Sequence, residues 1–385
     1  RDQGVPAVVV TSAMAGVTDE LSGLADQSDP LLESHNQLEA LETLRRRHHE
    51  ILTEIVDQDE QREALSARIN LILDGVSTLL DGPAVGNSTR LRDQLMAAGE
   101  DLVVELAAAA LEAEGVAASV LNAREVVWTD ARFGSAVPDV DAIRRLAPER
   151  VGPLLDKGLT PVIQGFIGSE ADGSTTTLGR GGSDFTAALI GSAIGASEVV
   201  IWTDVDGVMT ADPALVPGAR SLPGLSFAEA SELAYFGGRV LHPSTMLPAL
   251  EKNIPVRVLN SRKPELDGTL IMGNSSPSSL TVKSIAYKES ITVIDIRSTR
   301  MLMAHGFLAE IFAVFDRHRI AVDVVATSEV GVSLTVDRVN GLGVVTSELR
   351  QIAEVSHAFG QAIVCLVGDG IRDTPGVGAT IFTAV

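Results

Sequence analysis

The chain is poor in several features whose scarcity restricts what it can be. Among 385 residues there is one cysteine, Cys365, so no disulfide can form within the chain. Apolar neighbours favour a buried strand residue at Cys365 over a nucleophile. No apolar run approaches the ~20 residues that span a bilayer, because glutamates at 105, 112 and 114 interrupt the alanine-rich stretch 102–120. A disulfide scaffold and a membrane protein are therefore disfavoured.

Positive charge is also scarce. Thirty basic residues face 51 acidic ones, a formal net charge of −21, which argues against nucleic acid or an anionic membrane as partner. The seven histidines are scattered and no CxxC or HExxH motif occurs, so no metal cluster or catalytic triad is indicated. The pair His48-His49 is interpreted as a solvated helix face. We expect a soluble, cytoplasmic enzyme of two or three domains.

What the sequence does contain is a glycine-rich segment at 175–185, Thr-Thr-Thr-Leu-Gly-Arg-Gly-Gly-Ser-Asp-Phe. Its three glycines allow a tight turn, and a helix predicted to begin near Ser183 directs free N–H groups at any ligand there. Arg180 offers a fork for a carboxylate or phosphate, and Asp184 offers the opposite charge. The segment predicts a site for a zwitterionic amino acid beside a phosphate; for the glycines alone, a plain strand-to-helix turn is the alternative.

Hydrophobic patterns along the first 260 residues alternate between strands and helices, which predicts a mainly parallel sheet covered on both faces. The predicted strands are 7–12, 118–122, 160–166, 198–204 and 255–260, and the predicted helices are 37–55, 60–80 and one capped by Ser88 or Thr89 that runs to Glu114.

Beyond a linker rich in Ser, Pro, Gly and Asn at 262–279, the pattern becomes that of a β-rich α+β module. The predicted elements are strands at 282–287 and 291–297, a helix at 307–318, strands at 321–327 and 330–337, a helix at 346–360 and a strand at 362–367.

The glycine-rich segment, with Gln-Gly-Phe-Ile-Gly at 164–168 before it and Trp-Thr-Asp-Val-Asp-Gly-Val-Met-Thr-Ala-Asp-Pro at 202–213 after it, resembles aspartate kinases of the amino-acid-kinase superfamily. Further matches lie at 9–18, at Gly99-Glu100 and at 236–243, so the likeness covers nearly the whole chain. Residues 298–302, 306–308, 322–323 and 327–330 resemble the effector-binding ACT domain of the lysine-sensitive class.

The resemblance implies an α/β fold, the amino-acid-kinase three-layer sandwich with a mainly parallel central sheet, followed by α+β (ferredoxin-like) ACT regulatory domains. The implied division is a catalytic domain at 1–274, a linker and first strands of the second ACT unit at 275–298, a first ACT effector domain at 299–361 and the second ACT unit at 362–385. The family's Lys-Phe-Gly-Gly-Thr-Ser loop is missing before the first strand, and the chain stops within the second ACT unit. We therefore interpret it as a fragment trimmed at both ends.

The activity implied by the resemblance is ATP-dependent phosphorylation of the side-chain carboxylate of L-aspartate, the first step towards lysine, threonine and methionine. Such a transfer requires charge compensation and alignment rather than a strong base, because a carboxylate is already ionised. By resemblance, Arg180 clamps the α-carboxylate, while Glu100 and Asp184 take the ammonium group. The implied substrate contacts are Ser12, Thr18, Glu100, Phe166, Arg180, Ser183 and Asp184, and the implied catalytic loop is Arg180, Gly181, Gly182 and Asp184.

For ATP, the resemblance implies contacts from Thr203, Asp204, Met209 and Arg239, with Mg²⁺ carried by the phosphates and no protein metal ligand. Four positions depart from the family pattern: Arg239 stands for a lysine, Met209 for a tyrosine, Ala214 for an arginine and Ala97 for a serine.

The implied effector contacts are Met301, Phe307, Leu308, Val322, Asp323, Thr327, Ser328 and Glu329. Of these, Asp323 and Glu329 would hold an ammonium group. Lysine is the expected effector and threonine the alternative, because two small polar positions have become Ala304 and Ala321. The apolar members are equally compatible with a plain core. ACT domains pair across chains, so the resemblance also implies a homodimer.

Three alternatives stay open at this point. A superfamily kinase for glutamate or acetylglutamate would lack both the 175–185 string and the ACT tail. A catalytically inactive amino-acid sensor would explain the missing lysine loop. The third is the kinase portion of a fused bifunctional polypeptide.

Overall fold

The computed structural model describes residues 5–25, 30–81, 88–236, 243–273, 280–298, 305–337 and 340–384. The chain divides into two compact units. The first comprises Arg1–Val208, Pro223–Ser231 and Val240–Ser276, and the second comprises Met209–Leu222, Glu232–Arg239 and Pro277–Val385.

The first unit is an α/β body. Its helices are α1 (Val17–Ala25), α2 (Pro30–Ile55), α3 (Asp59–Leu80), α4 (Thr89–Ala113), α5 (Val140–Asp156), α6 (Gly182–Ile194) and α8 (Pro243–Glu251), while α7 (Phe227–Tyr235) crosses the division between the units. Its strands are β1 (Val9–Thr11), β2 (Ala118–Leu121), β3 (Thr160–Gln164), β4 (Ile167–Ser169), β5 (Thr175–Thr177), β6 (Val199–Thr203), β7 (Gly224–Ser226), β8 (Val256–Asn260) and β9 (Thr269–Met272).

Parallel pairing dominates the sheets of this unit. Strands β1, β3 and β2 form one parallel sheet in that order, and β6, β8, β9 and β7 form a second, in which only β8 and β9 run antiparallel. Every residue of β3 is buried, as expected for a strand covered on both faces. The five strands predicted from the sequence are confirmed, with ends shifted by at most two residues.

Helices α1 to α4 pack around a shared apolar core that includes Leu21, Leu44, Leu73 and Leu102. Ser88 begins α4 as its N-cap, accepting the Leu91 N–H at 3.3 Å, so the predicted cap is confirmed. No helix among the described residues is long and apolar enough to cross a membrane.

The interpretation of His48-His49 as a solvated helix face is wrong for His48, which is 0% exposed. Helix α2 packs against α1, α3 and α4 and therefore has a second inward face that the sequence pattern did not reveal. The His48 Nδ1 atom bonds the Leu44 carbonyl oxygen at 2.7 Å, and its Nε2 atom has no partner among the described residues. Burial lowers the pKa of His48, which keeps the ring neutral.

The second unit is an antiparallel α+β body. Its strands are β10 (Ser284–Arg297), β11 (Val325–Thr327), β12 (Gly331–Val336) and β13 (Glu354–Val367), in the order β11-β12-β10-β13. Its helices are α9 (Phe307–Arg317), α10 (Leu342–Leu349) and α11 (Val377–Ala384). Helices α9 and α10 close the apolar core over Ile294, Ile296 and Leu334.

Two predictions for this unit are corrected. The strands predicted at 282–287 and 291–297 are one strand, β10, with its pairing register shifted between Lys288 and Ile291. The helix predicted at 346–360 is wrong, because α10 ends at Leu349 and residues 354–367 form β13. That segment pairs along β10, with Val355 opposite Ile296, so the backbone groups on the side facing β10 are satisfied by the sheet.

Candidate active site

The ends of β1 and β3 meet the start of α6 in the first unit. Gly165 follows β3 and donates its N–H to the Thr11 carbonyl oxygen at 2.9 Å. A Cβ atom at position 165 would lie 2.5 Å from that oxygen and 2.6 Å from the Ser183 Cβ. Glycine is therefore required where β1, β3 and α6 converge, at the carboxyl ends of parallel strands where α/β proteins bind ligands.

Phe166 adopts a left-handed backbone at this junction, with φ of 67°. The Ile167 N–H reaches the Gly165 carbonyl at 2.7 Å and closes a three-residue turn around Phe166. The Thr186 hydroxyl accepts the Phe166 N–H at 3.1 Å, which ties this turn to α6. Such strained conformations persist only where their surroundings fix them, and they concentrate at functional sites.

The glycine-rich loop ends in an uncapped helix terminus. Gly181 is the residue before α6 and has φ of 72° and no side-chain cap, so the predicted turn into a helix is confirmed. Gly182 passes so close to Phe166 that a Cβ would lie 2.6 Å from the ring. The Arg180 side chain is exposed, and it makes no ion pair within the described part of the chain. An open helix N-terminus beside a free guanidinium is suited to an anion.

Two carboxyl groups with raised pKa values lie at the same junction. Glu100 on α4 is 2% exposed, and its Oε2 atom has no hydrogen-bond partner among the described residues. Burial, with a smaller contribution from Asp101, raises the pKa of Glu100 to about 8, although a backbone hydrogen bond from Ala13 opposes the shift. Burial also raises the pKa of Asp184 to about 6. Glu100 is therefore not on an exposed face of the helix, and the buried oxygen that has no partner among the described residues is suited to a cationic group.

The loop after β1 packs directly on α4. A Cβ at Gly99 would lie 3.1 Å from Val17 and 3.2 Å from Ala13, so the glycine before Glu100 permits this contact. Ser12 and Thr18, at either end of this loop, are exposed and half-buried. The structure therefore places the segment that carries Ser12 and Thr18 against α4 beside Glu100, while Gly165 joins the end of β1 to Phe166 and the start of α6.

Thr203 is the last residue of β6 and Asp204 follows it, at the end of a strand in the second sheet of the first unit. The Thr203 hydroxyl donates to the Asp204 carboxylate at 3.3 Å. Two residues later, the carboxylate of Asp206 is held by Lys263 at 2.9 Å and by Asn260 at 2.5 Å. These bonds fix the loop that carries Asp204.

Two further residues are predicted to contact the nucleotide, Met209 and Arg239. Met209 belongs to the second unit, where its carbonyl accepts the Ser284 hydroxyl at 2.8 Å. Arg239 lies outside the described residues. Among those that are described, no group of three or more His, Cys, Asp or Glu is arranged to hold a metal ion.

Several buried polar residues that hold this region were not singled out from the sequence. Asp93 on α4 is 0% exposed and bonds the end of β5, while Asp101 pairs with Arg124. One signal was available: Asp93 and Glu100 are seven residues apart, on one face of a helix whose other buried positions are mostly apolar. The hydroxyls of β5 are also used internally, because Thr176 bonds Thr129 at 2.7 Å.

In the second unit, the predicted effector residue Asp323 already binds an ammonium group. Its side chain is 8% exposed, accepts the Tyr235 hydroxyl at 3.0 Å and pairs with Lys288 at 3.3 Å. Lys288 also contacts Asp337 at 2.6 Å and lies 5.6 Å from the centre of the Tyr235 ring. Burial raises the pKa of Asp323, with the neighbouring Asp337 carboxyl adding to the shift. This carboxyl is therefore placed to hold a cation.

The remaining predicted effector residues are spread over this unit. Thr327 and Ser328 line an open cavity of about 230 Å³ together with Asp295, Arg297 and Ser333. Phe307 packs into the apolar core, and Leu308 is 39% exposed. Val322 is half-buried against that core and Glu329 is exposed, while Met301 lies outside the described residues.

Comparison with known proteins gives consistent matches. A model of the amino acid kinase family matches residues 1–260. The lysine-sensitive aspartokinase 3 of Escherichia coli K12 is 39% identical over 383 residues, covering 97% of this chain and 83% of the relative. The chloroplastic aspartokinase 2 of Arabidopsis thaliana is 38% identical, covering 94% of this chain and 68% of that relative.

Solved structures of aspartokinases also match this chain. The structure of E. coli aspartokinase III in complex with aspartate and ADP, in the R-state, is 38% identical with a TM-score of 0.83. The T-state of the same enzyme with lysine and aspartate gives a TM-score of 0.78. Each comparison covers 98% of this chain and 84% of the solved chain.

The family match, the parallel sheet and the glycine loop at a helix terminus define an amino acid kinase. Within that family, the chain belongs to the aspartokinases, since the matches to named aspartokinases extend over nearly all of it. The family and the fold class inferred from the sequence, a parallel α/β kinase fold followed by ACT-like regulatory domains, are confirmed.

The close contact at Gly165 gives a test of this site. We expect Gly165→Ala to displace β1 or α6 and to lower kcat/KM for aspartate by about 100-fold, the usual effect of a displacement near 1 Å. Gly152→Ala in α5 is the matched control, because nothing lies within 4 Å of its added Cβ, and it should leave the rate unchanged and raise stability slightly. Steady-state kinetics at a temperature where both variants are folded compares them. A fully active Gly165→Ala enzyme would contradict the site.

Proposed function

We propose that this aspartokinase transfers the γ-phosphoryl group of ATP to the side-chain carboxylate of L-aspartate, using the junction of β1, β3, α4 and α6 as the amino-acid site. The observation that carries the proposal is the buried carboxyl of Glu100, whose Oε2 atom has no hydrogen-bond partner among the described residues, together with the open N-terminus of α6. An amino acid supplies both an ammonium for the first and a carboxylate for the second. The solved relative that binds aspartate and ADP supports this assignment.

In this proposal each charge of aspartate has a partner. Glu100 and Asp184 hold the ammonium, and Arg180 clamps the α-carboxylate as a fork. Ser12, Thr18, Phe166 and Ser183 complete the walls. Gly181 and Gly182 let the backbone approach the substrate, because Gly181 has a left-handed φ that favours glycine and a larger residue at 182 would collide with Phe166.

The reaction then depends on alignment and charge. The attacking carboxylate of aspartate needs no base because it is already ionised, so the protein has to orient it in line with the phosphoryl group. Thr203, Asp204, Met209 and Arg239 are proposed to contact ATP. Mg²⁺, held by the ATP phosphates, supplies charge compensation for the transferred group.

The direct test is formation of aspartyl phosphate, trapped with hydroxylamine, by the complete gene product with ATP and Mg²⁺. Arg180→Ala should reduce kcat/KM for aspartate by at least about 100-fold, since each charge-assisted hydrogen bond contributes roughly 1.5–3 kcal/mol. Arg180→Lys should retain little, because an ammonium cannot form the bidentate pair. Arg145→Ala, which removes an exposed arginine from α5, is the control. Absence of hydroxamate from the unchanged enzyme would contradict the function, and a fully active Arg180→Ala would contradict the assignment.

Glu100 predicts that aspartate binding releases a proton near neutral pH. With a pKa of about 8, its carboxyl is mostly protonated at pH 7 in the free enzyme, and an ammonium beside it lowers that pKa. Asp184, with a pKa of about 6, is already mostly ionised. We expect release of about one proton per aspartate at pH 7, falling towards zero at pH 9.

Calorimetric titration of aspartate in two buffers of different ionisation enthalpy measures this release. Glu100→Gln keeps the size of the side chain and should abolish it. Equal apparent enthalpies in both buffers for the unchanged enzyme would contradict a protonated Glu100.

We further propose that lysine is the effector, acting in the second unit at the carboxyl of Asp323. Two observations support it: Asp323 already holds the ammonium of Lys288, and a relative solved with lysine bound matches this chain with a TM-score of 0.78. Thr327, Ser328 and Glu329, with Met301, Phe307, Leu308 and Val322, remain the proposed surrounding contacts. Threonine is the alternative effector.

Asp323→Asn tests the effector site. The change removes the charge but keeps the shape, so the lysine concentration for half-inhibition should rise by at least about tenfold, the effect of losing one charge-assisted bond. The KM for aspartate should stay the same. Asp316→Asn, on α9 and with an exposed side chain, is the matched control. Inhibition by threonine but not by lysine would show that threonine is the effector. Unchanged lysine inhibition in Asp323→Asn would contradict a role for Asp323 in the effector site.

A homodimer through the second unit is also proposed. Strand β13 lies at the edge of its sheet among the described strands, with Phe359 and Val364 52% and 62% exposed, which supports pairing with a second copy. Cytoplasmic location stays a prediction.

A further inference from the structure

Strand β5 carries the chain into the glycine-rich loop, yet it is only three residues long and, among the described strands, pairs only with β4. Its three residues are all buried. Its backbone is held by the short antiparallel ladder to β4, in which Thr177 lies opposite Ile167, and by the Ala136 N–H, which the Thr177 carbonyl accepts at 2.9 Å. Side-chain contacts at the ends of β5 also help to fix this strand, and with it the position from which the chain continues to Arg180.

The end of β5 is held by a carboxylate of α4. The Asp93 Oδ1 atom accepts the Thr177 hydroxyl at 2.9 Å, and its Oδ2 atom accepts the Thr177 N–H at 2.9 Å. The same Oδ2 atom accepts the Gly134 N–H, also at 2.9 Å. One buried carboxylate therefore joins the end of β5 to a separate loop.

Gly134 also lies directly against the glycine loop. A Cβ at Gly179 would be 3.4 Å from the Gly134 carbonyl oxygen, so the two glycines are in close contact. Asp93 thus fixes position 177, two residues before Gly179, and also fixes the surface on which Gly179 rests.

The start of β5 is held from the same helix. Asp101 forms a bidentate pair with Arg124 at 2.8 and 2.9 Å, and the Arg124 Nε donates to the Thr175 hydroxyl at 2.8 Å. The Gln164 side chain at the end of β3 also donates to Asp101, at 3.0 Å. Helix α4 therefore holds both ends of β5 through one acidic side chain each, Asp93 and Asp101, which are eight residues apart, and Glu100 is next to Asp101.

We infer that Asp93 is a positioning residue for the aspartate site: through Thr177 and Gly134 it sets the place of the 178–184 loop relative to Glu100. The inference rests on the proposed role of Arg180 and Asp184 in binding aspartate. Asp93 touches no substrate in this arrangement and acts only through the loop. Asp93 and Glu100 belong to one helix. The position of the 178–184 segment and the position of Glu100 are therefore both set by α4.

A set of four substitutions separates positioning from general stability. Asp93→Ala removes all three acceptor bonds, whereas Asp93→Asn keeps one oxygen for the two N–H groups and presents its amide to the Thr177 hydroxyl. Thr177→Val removes only the hydroxyl and Thr177→Ser restores it. Leu95→Ala is the control, because Leu95 is 0% exposed on the same helix but packs into the helical core.

Asp93→Ala should lower kcat/KM for aspartate by about 100-fold, mainly through a higher KM for aspartate, with the KM for ATP changed by less than about threefold. Thr177→Val should lose about tenfold, as for one charge-assisted hydrogen bond. Asp93→Asn and Thr177→Ser should recover most of the activity. Leu95→Ala should lower the melting temperature with both KM values unchanged.

Amide hydrogen exchange of residues 178–184 gives a readout that does not depend on activity. It should be faster in Asp93→Ala and Thr177→Val than in the unchanged enzyme, and unaffected in Leu95→Ala. If Asp93→Ala does not fold, the comparison of Thr177→Val with Thr177→Ser, together with Asp93→Asn, tests the inference. Equal kinetics for Thr177→Val and Thr177→Ser together with unchanged exchange would overturn the inference.

Failure of the proposed function appears differently. The unchanged enzyme could fail to phosphorylate aspartate while Asp93→Ala still accelerates amide exchange in residues 178–184. That result would support the positioning role of Asp93 and contradict aspartate as the substrate. Equal rises of the KM values for aspartate and ATP in Asp93→Ala would show that its effect is not confined to this loop, and would overturn the inference itself.

Discussion

The arrangement of segments around the candidate site in the first unit depends on two buried carboxyl groups of helix α4, those of Asp93 and Glu100. A buried charge is strongly destabilising unless hydrogen bonds compensate it. Asp93 accepts three such bonds, from Gly134 and Thr177, and so joins the loop at Gly134 to the end of β5. Glu100, two turns further along, has one oxygen with no partner in the described part of the chain, and its pKa is about 8. The first carboxylate organises the structure, whereas the second is the one proposed to bind the ammonium group of the substrate.

Close backbone approach is the second constraint on the site. Gly99, Gly165 and Gly182 each lie where a side chain would collide with a neighbouring segment, at hypothetical distances between 2.5 and 3.4 Å. Together they allow close contacts of α4 with the segment after β1, and of β3 with α6, as the proposed amino-acid site requires. Phe166 adds a strained turn at the same place. The geometry is therefore set by contacts that tolerate little change in residue size.

Much of this arrangement was predictable from the sequence, and the exceptions have physical causes. The predicted strands and the glycine loop were found because apolar runs and φ > 0 positions are local signals. The burial of His48 was missed because α2 contacts helices on more than one side, which a single-helix pattern does not reveal. The helix predicted over 346–360 failed because pairing with β10 outweighs local preference. Asp93 was missed because its partners are 41 and 84 residues away in the chain. Contacts to Arg239 and Met301 lie outside the described residues and stay predictions.

The ion pair between Lys288 and Asp323 has a consequence for how the second unit would sense an amino acid. If Asp323 binds the effector as proposed, Lys288 would be a tethered competitor, because a tethered group acts at an effective concentration on the order of millimolar or more. A free ammonium would then have to displace Lys288 from Asp323, and Lys288 could keep its contact with Asp337. Such a site would respond only to effector concentrations high enough to compete with the tethered ammonium.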